Sequence, residues 1–146
     1  MRWSKSRIGV ATIAVLGAAY GAAVALGAPP MMTANTGAHL SVISPKTRLT
    51  LTGNTLATDV KITHFKVDCR YAGTANRKGI GHYHIELDKS LINMICSPRS
   101  SLSMLDVKPG KHTVQFIPAA NDHADDMKAM KQISFTYKPS NTLPAA

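Results

Sequence analysis

Apolar and polar residues alternate along several short stretches after residue 38, and turn-forming residues separate these stretches. Leu40 and Val42 mark one strand, and Leu49 and Leu51 mark the next. The predicted strands cover residues 39–44, 47–52, 60–62, 65–69, 82–88, 92–96, 113–117 and 133–137. Residues 122–131 are polar, lack strand signals and have room for one helical turn. Short strands at this spacing predict an all-β, antiparallel β-sandwich.

The alternation changes phase once, between Ile62 and Phe65. The apolar residues Val60 and Ile62 occupy even-numbered positions, whereas Phe65 and Val67 occupy odd-numbered positions. Such a switch requires an extra residue or a bend if all four side chains are to face the core. The sequence therefore predicts a bulge or bend near His64.

The stretch over residues 82–88 has one apolar face and one polar face. Tyr83, Ile85 and Leu87 point one way, and His82, His84, Glu86 and Asp88 point the other way. A two-residue loop at Lys89 and Ser90 gives each apolar residue an apolar partner, in the pairs Leu87 with Ile92, Ile85 with Met94 and Tyr83 with Cys96. This register predicts that Met94 lies in the core, where its sulfur packs and is not a copper ligand.

The N-terminal stretch has the composition of an export signal. Arg2, Lys5 and Arg7 precede an uncharged run that extends to about Ala28. Small residues around Gly27 provide a cleavage site, and the run is also nearly long enough for a membrane anchor. We therefore expect a signal peptide or membrane anchor at residues 1–28, and a protein that acts in the periplasm, in the cell envelope or as a secreted product.

Beyond the leader, the length suits one domain. We expect a flexible lead-in at residues 29–38, the sandwich at residues 39–138 and a flexible tail at residues 139–146. The whole chain carries a net charge of +9. This basic surface is expected to attract anionic envelope polymers, and the structural alternative is a simply solvated basic surface. Membrane contact is expected only through the N-terminal segment. Nucleic acid is not an expected partner, because the basic residues are scattered and no aromatic stacking platform lies among them.

Cys69 and Cys96 are the two cysteines of the chain. In an oxidising compartment they favour a disulfide over two free buried thiols. The other alternative is that the thiolates bind a metal ion. This is disfavoured because Cys69 lies on the apolar face of its predicted strand.

Three motifs bring histidines into a short part of the chain: Gly81-His82-Tyr83-His84, Gly110-Lys111-His112 and Asn121-Asp122-His123. His82 and His84 project from one face of a strand, so that two imidazoles could share an ion, and Gly81 lets the chain turn directly into the pair. The structural alternatives are two exposed rings for His82 and His84, a loop carbonyl held by His112 and a corner formed before His123.

The order and spacing of these motifs resemble those of exported bacterial immunoglobulin-like domains of unknown function. The resemblance extends over roughly residues 40–138 and implies an immunoglobulin-like antiparallel β-sandwich of about seven strands. The chain departs from that pattern at Asp88-Lys89, where an Asp-Gly turn is usual. Copper/zinc superoxide dismutases also place His-x-His on a sandwich strand, but their other ligand motifs are missing here, and dismutase activity is not expected.

We predict a non-enzymatic exported protein that binds copper or zinc. The predicted ligands are His82 and His84, helped by His112, His123 or Asp122. The alternative is a structural or adhesive envelope module in which the basic surface binds anionic polymers and the histidines hold loops together. An enzyme would need an open coordination position and a cleft, which the sequence does not show.

Overall fold

The computed structural model describes residues 33–140. The leader predicted at residues 1–28, the first part of the lead-in at 29–32 and the last part of the predicted tail, at 141–146, lie outside the described residues. The described chain contains a short 3-10 helix at Cys69–Tyr71 and nine strands. The strands are β1 His39–Ser44, β2 Thr50–Leu51, β3 Thr55–Thr63, β4 Lys66–Val67, β5 Ile80–Leu87, β6 Ser90–Ile95, β7 Arg99–Ser103, β8 Gly110–Ala119 and β9 Lys131–Tyr137.

The strands form two sheets, which confirms the predicted all-β sandwich. One sheet has the order β1-β3-β7. The other has the order β2-β9-β8-β5-β4, and β6 also pairs with β5. The two shortest strands, β2 and β4, pair in parallel with β9 and β5, and every other pairing is antiparallel. The seven strands of five or more residues agree with the about seven strands that the resemblance to immunoglobulin-like domains implies.

The apolar core lies between the two sheets. Leu56 and Val60 on β3 pack with Tyr83 and Ile85 on β5 and with Phe116 on β8, and all five are almost fully buried. The residues of β5 that alternate with Tyr83 and Ile85 therefore project from the far side of the larger sheet. This arrangement separates the apolar core from the face that carries His82 and His84.

The hairpin between β5 and β6 differs from the predicted register. The turn is Asp88-Lys89, and both residues have positive φ (50° and 68°), as a tight two-residue hairpin turn requires. Leu87 pairs with Ser90 and Glu86 with Leu91; a bulge at Ile92 then shifts the register. The pairs beyond the bulge are Ile85 with Asn93, His84 with Met94 and Tyr83 with Ile95. The prediction that Met94 packs in the core is wrong, because neither the turn position nor the bulge follows from apolar pairing.

Three other local predictions have mixed outcomes. The bend near His64 is confirmed, because β3 ends at Thr63 and His64 has a φ of 60°. The strand predicted at residues 47–52 is reduced to Thr50–Leu51, since a turn with Arg48 at a φ of 64° occupies its first half. Residues 122–130 form turns and isolated bridges instead of a helical turn, and residue 131 begins β9. The sequence does not predict β7.

Residues 33–38 are tied to the domain, although the sequence predicts that they belong to a flexible lead-in. The backbone N–H of Ala34 donates to the carbonyl of Asp125 at 2.9 Å. The N–H and hydroxyl of Thr36 both donate to the buried carboxylate of Asp126 at 2.8 Å. The burial of Asp126 requires such partners, because an unpaired buried carboxylate is costly.

Cys69 and Cys96 form the predicted disulfide, with 5.3 Å between their Cα atoms. Its surroundings differ from the prediction, because Cys69 lies in the 3-10 helix after β4 and is only half-buried, and Cys96 is exposed. The bond joins the segment before β5 to the end of β6.

Candidate metal centre

Strand β5 places His82 and His84 on the side of the sheet opposite the core, as the alternation predicts. The two rings are nevertheless buried, with exposed fractions of 0% and 6%. The chain after β8 turns back over them, with an N–H···O bond from Ala120 to Ala124 and a bridge between Ala119 and Asp125. The structural alternative of two exposed imidazoles is therefore wrong.

Gly81 does not serve as a turn before the histidine pair. It lies inside β5, and its backbone is not in the left-handed region. A Cβ atom at this position would collide with the backbone carbonyl oxygen of Ala119 and would lie 2.7 Å from the ring of Phe65. Glycine is required because β5 and β8 approach closely beside His82.

His123 completes a group of three imidazoles. It sits at a φ of 65° in the corner between residues 120 and 124, and its N–H donates to the carbonyl of Ala120 at 3.0 Å. Its exposed ring lies 4.7 Å from the ring of His82, centroid to centroid, and is nearly parallel to the ring of His84. The corner that Asn121 and Asp122 were predicted to shape thus also delivers a ring to the strand pair.

The distances within this group suit one bound ion. The Nε2 atoms of His82 and His84 are 3.1 Å apart, and one nitrogen from each of the three rings lies within 4.8 Å of the others. Two nitrogens on a tetrahedral zinc ion are about 3.3 Å apart at normal bond lengths, and adjacent nitrogens on square-planar copper are about 2.9 Å apart. His82 and His84 already have the required spacing, and the exposed ring of His123 needs only a small movement inward.

Asp125 fixes the orientation of His84. Its Oδ1 atom is 2.7 Å from Nδ1 of His84, and an ionised carboxylate can only accept a hydrogen bond. Nδ1 of His84 therefore carries the proton, and Nε2 presents its lone pair toward His82. A carboxylate on the far nitrogen is a common partner of metal-binding histidines, because it fixes the tautomer and makes the ring a stronger ligand.

His82 is held in its neutral form. Burial, followed by repulsion from His84 and His123 when these are charged, lowers the pKa of His82 to about 4. In the metal-free cluster its Nε2 donates to the lone pair of His84, which leaves its buried Nδ1 without a hydrogen-bond partner. A cation bound between the two Nε2 atoms would take the place of this proton, and neutral His82 would then carry its proton on Nδ1.

Asp122, a predicted ligand, contacts other groups. Its carboxylate accepts hydrogen bonds from the side-chain amide of Asn76 at 2.7 Å and from the N–H of Ala124 at 3.1 Å. The Ala124 bond is the main reason that the pKa of Asp122 is lowered. Asp122 thus fixes the corner that carries His123, and the carboxylate that contacts the histidine group is that of Asp125.

His112, another predicted ligand, is not brought to this group. It lies seven residues before Ala119 on β8, or about 24 Å along the strand, while Ala119 pairs with His82. Nε2 of His112 is 2.8 Å from the carbonyl of Lys108, and Nδ1 is 2.7 Å from the carboxylate of Asp88. His112 therefore holds the turn before β8, as its structural alternative predicts.

The interaction between His112 and Asp88 gives a prediction for stability against pH. Burial by itself lowers the pKa of His112, but the hydrogen bonds to Asp88 and Lys108 and the charge of Asp88 outweigh burial and raise it. Because the pKa of His112 is higher in the folded state than in the unfolded state, protonated His112 stabilises the fold. This stabilisation is complete at pH values below the unfolded-state pKa, and it is lost as the pH rises through the folded-state pKa. We expect His112→Ala to lower the free energy of unfolding by about 1 to 2 kcal/mol near pH 5.

Urea unfolding of both proteins in buffer with a chelator, between about pH 5 and pH 9, measures this difference. The difference in the free energy of unfolding between the wild type and His112→Ala should become smaller toward pH 9. A difference that grows as the pH rises would contradict the assigned charge interaction between His112 and Asp88.

Sequence reasoning missed Asp125. It follows His123 in a polar segment without periodicity, and Asp122, Asp125 and Asp126 have the same local character. Only its placement beside Thr33 and Ala119 aims its carboxylate at His84. No local signal distinguishes it from its acidic neighbours.

No family model matches the chain, and no curated protein matches it. Among solved structures, the chain is similar to fibronectin(III)-like modules of Clostridium thermocellum CbhA, with 15% identity, a TM-score of 0.49 and coverage of 70% of this chain and 99% of that one. It is also similar to the endo-beta-1,4-mannanase from Thermotoga petrophila, with 8% identity, a TM-score of 0.48 and 70% coverage, but it spans only 20% of that protein. Both similarities concern the arrangement of the backbone.

Proposed function

We propose that this protein binds one copper or zinc ion through His82, His84 and His123. The observation that carries the proposal is the 3.1 Å spacing of the Nε2 atoms of His82 and His84 in a buried position, with a third imidazole beside them. Buried histidines with a purely structural role are expected to bond to protein groups outside their own cluster, whereas the hydrogen-bond partner of the His82 ring is the ring of His84.

The proposed mechanism is capture of the ion and its release at low pH, without a catalytic step. Neutral imidazoles are the form that binds metal, and burial favours neutral His82. Asp125 makes His84 a stronger ligand, and the exposed ring of His123 gives the ion a route from solvent. Protonation of the three rings in acid competes with the ion.

We propose that the protein acts outside the cytoplasm, in the periplasm, in the cell envelope or as a secreted protein. The Cys69–Cys96 disulfide supports this location, because disulfides persist mainly in oxidising compartments. The expected leader at residues 1–28 points the same way. Among residues 33–140, no helix has the length and hydrophobicity that a bilayer crossing needs.

A second candidate function is adhesion to anionic envelope polymers. Arg77 and Lys78 line an open cavity of about 220 Å³, and the guanidinium of Arg77 stacks on the ring of Tyr71 at 4.0 Å. This arrangement holds one cation in place at the rim of a recess that an anionic group could enter. A protein with this function alone would take up no metal ion.

Metal titration of the full chain, expressed with its own N-terminal segment, tests the main proposal. We expect one Cu(II) or Zn(II) ion per chain, and a gain of about 2.7 kcal/mol in the free energy of unfolding when free metal is 100 times its dissociation constant. Calorimetry and chemical unfolding measure the two quantities. Uptake of less than half an ion per chain, or uptake without stabilisation, would contradict the proposal.

A further inference from the structure

Met94 lies next to the histidine group because of the bulge in β6. It is the direct cross-strand partner of His84. Directly opposed residues of antiparallel strands project from the same face, with Cβ atoms about 4.5 to 5.5 Å apart. The side chain of Met94 therefore leaves β6 beside that of His84, on the side of the sheet away from the core.

Core packing does not account for this methionine. Met94 is half-buried, and it is neither in the apolar core nor among the partly buried residues that pack against it. On the other side of His84, the partner on β8 is the buried residue Ile117. His84 thus has an aliphatic neighbour on one strand and a sulfur-bearing neighbour on the other.

We propose that Met94 supplies a thioether ligand to the same ion, and that the site therefore prefers copper, held as Cu(I), over zinc; this inference rests on the proposed function. Imidazole serves zinc and both oxidation states of copper, whereas soft thioether ligands select Cu(I). A set of three imidazoles and one thioether combines two rings of fixed spacing with a flexible side chain that can adjust to the ion.

Replacement of Met94 by leucine tests the assignment, because leucine keeps the approximate volume and removes the sulfur. Competition with a chromophoric Cu(I) chelator is measured under ascorbate, a mild reductant chosen to leave the disulfide intact. We expect Met94→Leu to weaken Cu(I) binding about 10-fold or more and to change Zn(II) binding by less than about 3-fold. Met127→Leu is the matched control, because the Met127 side chain is 48% exposed and Met127 does not pair with a histidine-bearing strand, and it should alter neither affinity.

X-ray absorption of the Cu(I)-loaded protein gives a second measurement. A sulfur neighbour is expected in the wild-type spectrum, and its loss in Met94→Leu would assign that sulfur to Met94. A spectrum with nitrogen neighbours alone, or unchanged Cu(I) affinity in Met94→Leu, would overturn the role of Met94 and leave the histidine site intact. Failure of the proposed function would look different, since the wild type itself would then take up neither copper nor zinc.

Discussion

Replacing His84 with alanine is expected to weaken the binding of Cu(II) and Zn(II) about 100-fold or more. The substitution removes one of the two nitrogens that are already at ligand spacing, and it also disconnects Asp125 from the site. His82→Ala should have an effect of similar size, because it removes the other member of the pair. Equilibrium competition against a chelator of known affinity measures both variants.

A graded series shows whether the histidine pair itself is responsible. Asp125→Asn keeps the shape of the side chain but weakens its acceptor, and it should cost about 10-fold in affinity. His39→Ala is the matched control, because His39 is exposed on β1 of the other sheet, next to His64. Equal losses in His39→Ala and His84→Ala would mean that uptake is diffuse binding to surface histidines, and the proposed site would be rejected.

Replacing Gly81 with alanine is expected to lower the free energy of unfolding by about 3 kcal/mol. The added methyl group would meet the backbone carbonyl of Ala119 and the ring of Phe65. A backbone carbonyl in a paired strand cannot move as a flexible side chain can, so β5 and β8 must separate next to His82. Chemical unfolding in metal-free buffer measures the loss.

Gly53→Ala is the matched control for this substitution. A Cβ at Gly53 meets nothing within 4 Å, and its backbone is not in the left-handed region. Alanine there should leave stability unchanged or raise it by about 0.4 to 1 kcal/mol, because it restricts the unfolded chain. Similar losses at both positions would show that close strand approach is not the reason for glycine at position 81.

The Gly81 variant also bears on the metal site. A displaced β5 would change the 3.1 Å spacing of the His82 and His84 nitrogens, so a folded Gly81→Ala protein should bind metal more weakly than the wild type. Gly53 lies outside β5 and β8, so the Gly53→Ala protein should bind metal as tightly as the wild type does. Comparison of the two variants therefore tests whether the close packing of β5 and β8 sets the spacing of the ligand nitrogens.

The sequence alone determined the features that depend on near neighbours along the chain. Alternation over Tyr83, His84 and Ile85 predicts a strand with apolar and imidazole faces, because successive side chains of a strand point to opposite sides. The same local logic predicts the bend at His64. The disulfide is predicted from the presence of two cysteines in the chain and from the oxidising compartment that the expected leader would imply.

Tertiary structure decided the features that depend on contacts between distant segments. The bulge at Ile92 moves Met94 from the predicted core to the side of His84, because one extra residue reverses the facing of a strand. After β8 the chain turns back, buries His82 and places Asp125 against His84. His112 lies at the opposite end of β8 from this group. Side-chain periodicity is set by the backbone of each strand, whereas register and loop position are set by packing between segments that the sequence keeps far apart.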